Sequence, residues 1–308
     1  MLFLVMRKNS MNEKTSSPQN VLERIIFKTV DIPALPHIVA KSLSLLNNNN
    51  VSLSELEATV GMDQAFVSRL LRIANSPFYG MSKAVDTISG AIKLVGFSAV
   101  KSLIVSVSFK DLHRKTDTID EIFWGHSIAV AAASVAIAEA QGIKGSDDLF
   151  VAGLIHDIGK TVINHSDSAL YKQVLSKVTD EGLTFKEAET EILGFDHSKV
   201  GGYIARKWKL PIRLEEIIEY HHTDKGHGSK DSVTQKICEI IDIADKICWE
   251  LSIGVPISVI KYKPKENKSS IFDLLNNNLS LNMSVDDVEL FKKNLIEEFG
   301  KHSAVFKT

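Results

Sequence analysis

The sequence predicts an all-α protein, a helical bundle with an N-terminal helical lobe. Apolar residues recur at three- and four-residue spacing along most of the 308 residues. No stretch alternates apolar and polar residues convincingly, residues 255–262 coming nearest to a strand pattern. The punctuation between apolar stretches consists of helix caps, prolines and short polar turns. A hydrophobic content of 44% is ample for a packed core.

Taken in order, residues 1–20 are expected to be a loose leader, and residues 21–30 a short amphipathic helix broken by Pro33 and Pro36. Residues 38–46 resume helical periodicity and end at the Asn47–Asn50 turn. Ser52-Leu53-Ser54-Glu55 reads as a capping box. Asp63 is placed to cap a helix ending near Asn75, and residues 76–80 form a turn. Residues 87–94 and 99–112 are further apolar helices, closing a lobe at 21–112. Polar residues 113–120 mark a boundary. Beyond it lie an Ala-rich helix at 123–141 and one long helix at 147–163, then helices at 166–181, 184–193, 197–207, 213–221 and 232–251. Residues 267–282 read as a polar, Asn-rich connection, and 285–299 as an amphipathic helix in a C-terminal extension that begins at residue 256.

Charge narrows the function. Lysine and arginine number 36 against 38 acidic residues, a balance that gives no basic footprint for nucleic acid. Residues 1–6 are apolar, but too short for a signal sequence and followed rather than preceded by charge. No run approaches the roughly 18–20 uninterrupted apolar residues of a membrane span. Cys238 and Cys248 share one apolar helix and read as small core residues of a reducing compartment. A cytoplasmic protein without a membrane partner is expected.

The chemistry gathers around Gly153-Leu154-Ile155-His156-Asp157-Ile158-Gly159-Lys160. An adjacent His-Asp among apolar residues is costly to bury without a partner. On a continuous helix the two side chains would lie about 100° apart and lean to one side, with Lys160 on the face of His156 and Gly153 and Gly159 leaving room for a cation and an anionic ligand. His126 at the start of one helix, His197 at the start of another, His221-His222, and Asp242 or Asp245 are available to complete the site. Imidazole with carboxylate suits iron, manganese, zinc or nickel better than calcium, and one or two such ions would activate water and clamp phosphate oxygens. His37, His113, His165, His227 and His302 lack such context and read as solvated or structural.

These residues resemble the HD superfamily of metal-dependent phosphohydrolases, which places a histidine, a His-Asp pair and a distant aspartate on a helical fold. The corresponding positions are His126, His156-Asp157 and Asp245. The branch related to cyclic-di-GMP phosphodiesterases adds a histidine and a His-His doublet, matched by His197 and His221-His222, and a lysine matched by Lys160. Its Gly-Tyr-Pro signature is missing after the doublet, where the chain reads Thr223-Asp224-Lys225-Gly226; this argues against cyclic-di-GMP hydrolysis. The fuller resemblance is to the HDOD family, the HD-related output domains of bacterial signalling proteins. Ile32-Pro33-Ala34-Leu35-Pro36, Asp63 with Leu70-Leu71-Arg72-Ile73-Ala74-Asn75-Ser76, Trp124-Gly125-His126-Ser127, Glu189 through Gly194-Phe195-Asp196-His197, and Trp208-Lys209-Leu210-Pro211 follow its hallmarks in order across about residues 25–255.

The resemblance implies an HD-like lobe at 121–255 carrying a metal site of His126, His156, Asp157, His197, His221, His222 and Asp245. It implies a regulatory output that works through a signalling protein partner or a small phosphorylated ligand. Its alternative is an active phosphohydrolase on nucleotide-like phosphoesters, with Asp157 and Lys160 in catalytic roles. Two other patterns are set aside. Residues 153–161 end like a phosphate-binding loop, but have five residues between the glycines and no preceding strand. Residues 53–73 have helix-turn-helix spacing, but Phe66, Leu70, Leu71 and Ile73 occupy much of the would-be reading helix.

Overall fold

The computed structural model describes residues 52–61, 64–75, 84–93, 104, 107, 118–143, 147–222, 231–254 and 270–307. The expected helices at 21–30 and 38–46, the Pro33–Pro36 segment, Asp63, the 76–80 turn and the 255–262 stretch lie outside these residues. Among the described residues every regular element is helical.

First among the described helices, α1 (Leu53–Val60) opens with the forward bond of the expected capping box, the Ser52 side chain accepting from the Glu55 N–H at 3.2 Å. α2 (Gln64–Ala74) buries Leu70 and Ala74. Asn75 then pairs both ways with the backbone of Val85, at 2.7 and 2.8 Å, and so fastens the chain beyond the helix. A helical turn at 88–93 buries Ile88 and Ala91 in one apolar cluster with Ile104, Val107 and the buried residues of the later helices.

The later helices pack around α3 (Thr118–Ala140), which starts five residues before the expected 123 and puts His126 inside the helix, not at its opening. Its alanines Ala129, Ala131 and Ala133 are buried. Small side chains bring α4 (Asp147–Ile155) close: a Cβ added to Gly153 would lie 2.7 Å from Ala131 Cα. By length and composition α3 could cross a membrane, yet 83% of its apolar window is buried in the protein, as in a core helix.

The expected single helix over 147–163 is two. α4 ends at Ile155, His156 and Asp157 form a kink, and α5 (Ile158–Ser166) begins after Asp157 at φ −94°, ψ 14°. That is the sparsely populated bridge region, common for active-site residues. α6 (Ser168–Ser176), capped by Asp167, runs into a π-helical turn at Lys177–Glu181. α7 (Phe185–Leu193) opens on a reciprocal Thr184–Glu187 capping box and stops at Gly194, whose φ of 82° closes the helix. α8 (His197–Lys207) is capped by Asp196, α9 (Ile212–Tyr220) follows Pro211, and α10 (Ser232–Leu251) is capped by Asp231.

α3 packs against α4 and α10, α5 against α8, and α8 against α9. α11 (Val285–Lys307), longer than the expected 285–299, closes on α3 and touches α2. Residues 267–282 are not simply a polar connection. Ile271–Asp273 and a π turn at Leu274–Asn278 bury Ile271, Leu274, Leu275 and Leu279 beneath an asparagine-rich exterior. Cys238 and Cys248 are buried and unbridged, as expected.

Gly153 and Gly159 do not open a face for ligands; both are points of close backbone approach. A Cβ at Gly159 would lie 1.9 Å from the His197 carbonyl oxygen, so α5 and α8 meet backbone to backbone. Gly159→Ala is therefore expected to destabilise by about 1–3 kcal/mol or more. Gly300→Ala, with nothing within 4 Å of the new Cβ, should be neutral or stabilising by up to about 1 kcal/mol. Thermal unfolding of the two variants side by side checks the contrast.

Candidate metal centre

Asp157 lies at a helix N-cap but does not cap, since its side chain makes no bond to the α5 backbone. An N-cap aspartate ordinarily accepts from the second or third helical N–H, worth about 1 kcal/mol. Here the carboxylate turns inward instead. Its Oδ2 lies 2.6 Å from Lys160 Nζ, 3.3 Å from His156 Nε2 and 3.7 Å from His126 Nε2. Its Oδ1 lies 3.0 Å from His197 Nε2 and 3.7 Å from His221 Nε2. One side chain thus faces two groups of imidazoles.

The first group is His126 from α3, His156 and Asp157 from the kink, and Asp245 from α10. Their ligand atoms all lie within 4.8 Å of one another, and all four residues are buried. His126 Nε2 and Asp245 Oδ1 are 2.7 Å apart, and the indole of Trp249, one turn beyond Asp245, lies tilted against the His126 ring at 4.8 Å between centroids. The second group is His197 from α8 and His221-His222 at the end of α9, again within 4.8 Å. His197 Nε2 is 2.9 Å from His222 Nε2 and 3.3 Å from His221 Nε2. The structure therefore brings together all seven residues expected from the sequence, and Lys160 with them. Asp242, the other carboxylate considered, pairs with Lys246 at 2.7 Å and belongs to neither group. His165 bonds Asp120 at 2.7 Å, a link between α3 and α5 in keeping with its structural reading.

The donor set fits a metal. Among the described residues, the buried His156 Nε2 has no hydrogen bond within the protein, and Asp157 Oδ1 is met only by the rings of His197 at 3.0 Å and His221 at 3.7 Å. Leaving a buried ring nitrogen unsatisfied costs about 1–3 kcal/mol, and a cation beside it removes that cost. Imidazole and carboxylate together suit a divalent transition ion.

Charge in the centre is balanced internally. Burial works to raise the Asp157 carboxyl, but His156, Lys160 and His197 outweigh it and hold the group well below its usual value. Burial likewise opposes the Lys160 ammonium, and Asp157, Asp245 and Glu189 overcome it, so its pKa is raised. Lys160 lies over the Phe185 ring, 4.3 Å from its centroid. Against the pull of burial, Glu189 and Asp157 push His197 up to about 9. His221 is pushed down to about 3 by burial and by His156 and His197, and burial lowers His126.

Sequence reasoning did not assign a site role to Tyr171, Phe185, Glu189 or Trp249. Glu189 accepts from the His197 backbone N–H at 2.7 Å and meets its Nδ1 at 2.6 Å, while the Tyr171 hydroxyl donates to the other Glu189 oxygen at 2.8 Å. The available signal was Glu189 on the inward stripe of α7, with Phe185 one turn before it.

With this geometry in place, the chain can be set against known proteins. It matches the HDOD domain over residues 32–224. The chain belongs to the HDOD family. Asp245 lies beyond the matched segment and joins the centre through α10. An uncharacterized protein of Treponema pallidum is 28% identical over 197 residues, which span 62% of this HDOD chain and 38% of that relative. The chain thus matches well under half of that relative's length. Among solved structures, an HDOD domain protein of unknown function from Geobacter sulfurreducens superposes with a TM-score of 0.69 at 25% identity, covering 92% of this chain and 98% of its own. A candidate phosphohydrolase from Shewanella amazonensis superposes at 0.68 and 22%, covering 92% and 97%. A candidate signal transduction protein from Marinobacter aquaeolei superposes at 0.69 and 17%, covering 94% of this chain and 65% of that one. The last two show a shared fold.

The raised His197 pKa sets a pH dependence. Ligation requires a neutral imidazole, and near pH 7 metal-free His197, at about 9, holds its proton; His221, at about 3, arrives neutral. Metal entering the His197 group must therefore release a proton, and apparent affinity should rise with pH until about 9. Calorimetric zinc titrations in buffers of different ionisation enthalpy check this, with release of about one proton per ion at pH 7 expected.

Proposed function

We propose that this HDOD protein binds one or two divalent transition-metal ions (iron, manganese, zinc or nickel) in the buried His/Asp centre. It would serve as a cytoplasmic regulatory output in signal transduction, working through a protein partner or a small phosphorylated ligand. The observation that carries the reading is the Asp157 carboxylate, with one oxygen toward His126 and His156 and the other toward His197 and His221. His126, His156, Asp157 and Asp245 would hold one ion, and His197, His221 and His222 a second beside Asp157. Because these ligands come from α3, the α4–α5 kink, α8, α9 and α10, occupancy would bear on most of the bundle at once. A ligand of the folded state stabilises it in proportion to RT ln(1 + [L]/Kd), which makes metal state legible to a partner as rigidity. The fold shared with the candidate signal transduction protein from Marinobacter aquaeolei supports this use.

A second reading, metal-dependent hydrolysis of nucleotide-like phosphoesters, is favoured by Lys160. Its ammonium stays cationic at neutral pH and lies 2.6 Å from Asp157. A bound metal would supply an activated water and polarise phosphate oxygens. Asp157 would hold the reacting centre in register, and Lys160 would offset phosphate charge.

Protein reconstituted with iron and manganese and then desalted is expected to retain stoichiometric metal by plasma mass spectrometry, and Asp157→Ala to lose most of it. Retention below about a tenth of an equivalent in the wild-type chain would overturn metal binding, since structural sites hold their ions far more tightly. A phosphodiesterase and phosphatase screen with the same metals decides the second reading. Turnover that disappears in Asp157→Ala supports it, whereas turnover that survives the substitution belongs to a contaminant.

A further inference from the structure

We propose that Glu189, braced by Tyr171, is a positioning residue for His197: it sets the imidazole with Nε2 toward Asp157 and the His221-His222 pair. This rests on the metal reading above. The reason lies in where each histidine sits on its helix. His156 and His221 each follow the last turn of a helix, where backbone carbonyls lack partners within the helix. Each ring uses one of them, His156 Nδ1 bonding Gly153 O at 2.7 Å and His221 Nδ1 bonding Ile218 O at 2.9 Å, both three residues back. Their orientation therefore comes with the helix ends.

His197 has no such supply. It is the first residue of α8, and a helix N-terminus offers free N–H groups where a C-terminus offers carbonyls. The residue three positions earlier is Gly194, turned into the left-handed region at φ 82°. An acceptor must come from elsewhere, and α7 supplies it. Glu189 Oε2 meets the ring at Nδ1 and also takes the free backbone N–H of His197, while Oε1 takes the Tyr171 hydroxyl. Glu189, Tyr171 and His197 are each 0% exposed, so this geometry does not compete with water. Of these three rings, only that of His197 has a carboxylate at Nδ1, which also makes its Nε2 the more basic ligand. The ring then faces His222 at 2.9 Å and Asp157 at 3.0 Å.

The test uses the full chain with Glu189→Gln, Tyr171→Phe and His221→Ala. In the metal-free protein, long-range proton–nitrogen spectra should show a hydrogen-bonded His197 Nδ1–H that shifts or vanishes in Glu189→Gln, with the His156 and His221 ring signals in place. In zinc titrations Glu189→Gln should weaken binding about 10–100-fold at the His197 group alone. It should add nothing to His221→Ala, which removes the same ion, and Tyr171→Phe should shift affinity in the same direction by less. An unchanged His197 signal with unchanged zinc affinity overturns the proposal. So does an equal loss at both groups that tracks a fall in the metal-free melting temperature, because that is a folding effect. If Glu189→Gln does not fold, Tyr171→Phe decides by the same two readouts. A wild-type chain that takes up no zinc sinks the metal reading, and the His197 ring signal still decides the positioning.

Discussion

Asp157 sits where α4 gives way to α5, and its carboxylate is shared between two clusters of imidazole and one ammonium. That sharing constrains much of the bundle. The helix breaks at this residue, and Oδ1 and Oδ2 face opposite groups. The break forgoes the N-cap bond that aspartate normally makes, and places the residue in a sparsely populated backbone region. α3 and α10 must then approach from one side to deliver His126 and Asp245, and α8 and α9 from the other to deliver His197 and His221.

Those approaches are close because the chain is small where it needs to be. Gly153 lies against Ala131, and Gly159 against the carbonyl of His197. The second contact matters more. It presses the start of α5, two residues after Asp157, onto the start of α8, which carries the nearest imidazole of the second group. Backbone contact is what allows a side chain as short as aspartate to reach His197 at 3.0 Å. The glycines thus belong to the site by setting its dimensions, and contribute nothing to it chemically.

Much of this was legible in the sequence, for identifiable reasons. The all-α class followed from apolar periodicity, and the bounds of α8 and α10 were readable because Asp196 and Asp231 cap them and the patterns end cleanly. The seven residues of the centre were recoverable because the resemblance to the HD and HDOD families implies them; the residue types alone left Asp242 and Asp245 both open. The kink was not, since apolar residues recur on both sides of His156-Asp157 from Phe150 to Ile163 and the pair reads as part of one helix, although aspartate is a residue type that opens helices. Glu189 escaped for a related reason. It is eight residues from His197 across a helix stop, and although it stands among the HDOD hallmarks, the neighbouring Glu187 and Glu191 give no sign that this one glutamate turns inward. Residues 267–282 misled in the opposite direction, their asparagines hiding four buried aliphatic residues at helical spacing.

Lys160 explains how such a centre can exist before any ion enters it. Three carboxylates, from Asp157, Glu189 and Asp245, lie within a volume nearly closed to solvent, at exposures of 4%, 0% and 7%. Buried charge of one sign is costly unless paired. Lys160, itself 2% exposed, bonds Asp157 directly and is held cationic by all three carboxylates; the raised pKa of His197 adds a second positive group next to Glu189. A divalent ion arriving among the ligands can discharge the His197 proton, but it has no route to discharging Lys160, whose pKa lies far above neutrality. With an ion bound as proposed, the ammonium would stay beside it, tempering the attraction of the carboxylates for further cations and adding positive charge for an anion to meet. The residue that offsets the buried carboxylates would thus also keep positive charge beside a bound ion, as the phosphorylated ligand proposed above would require.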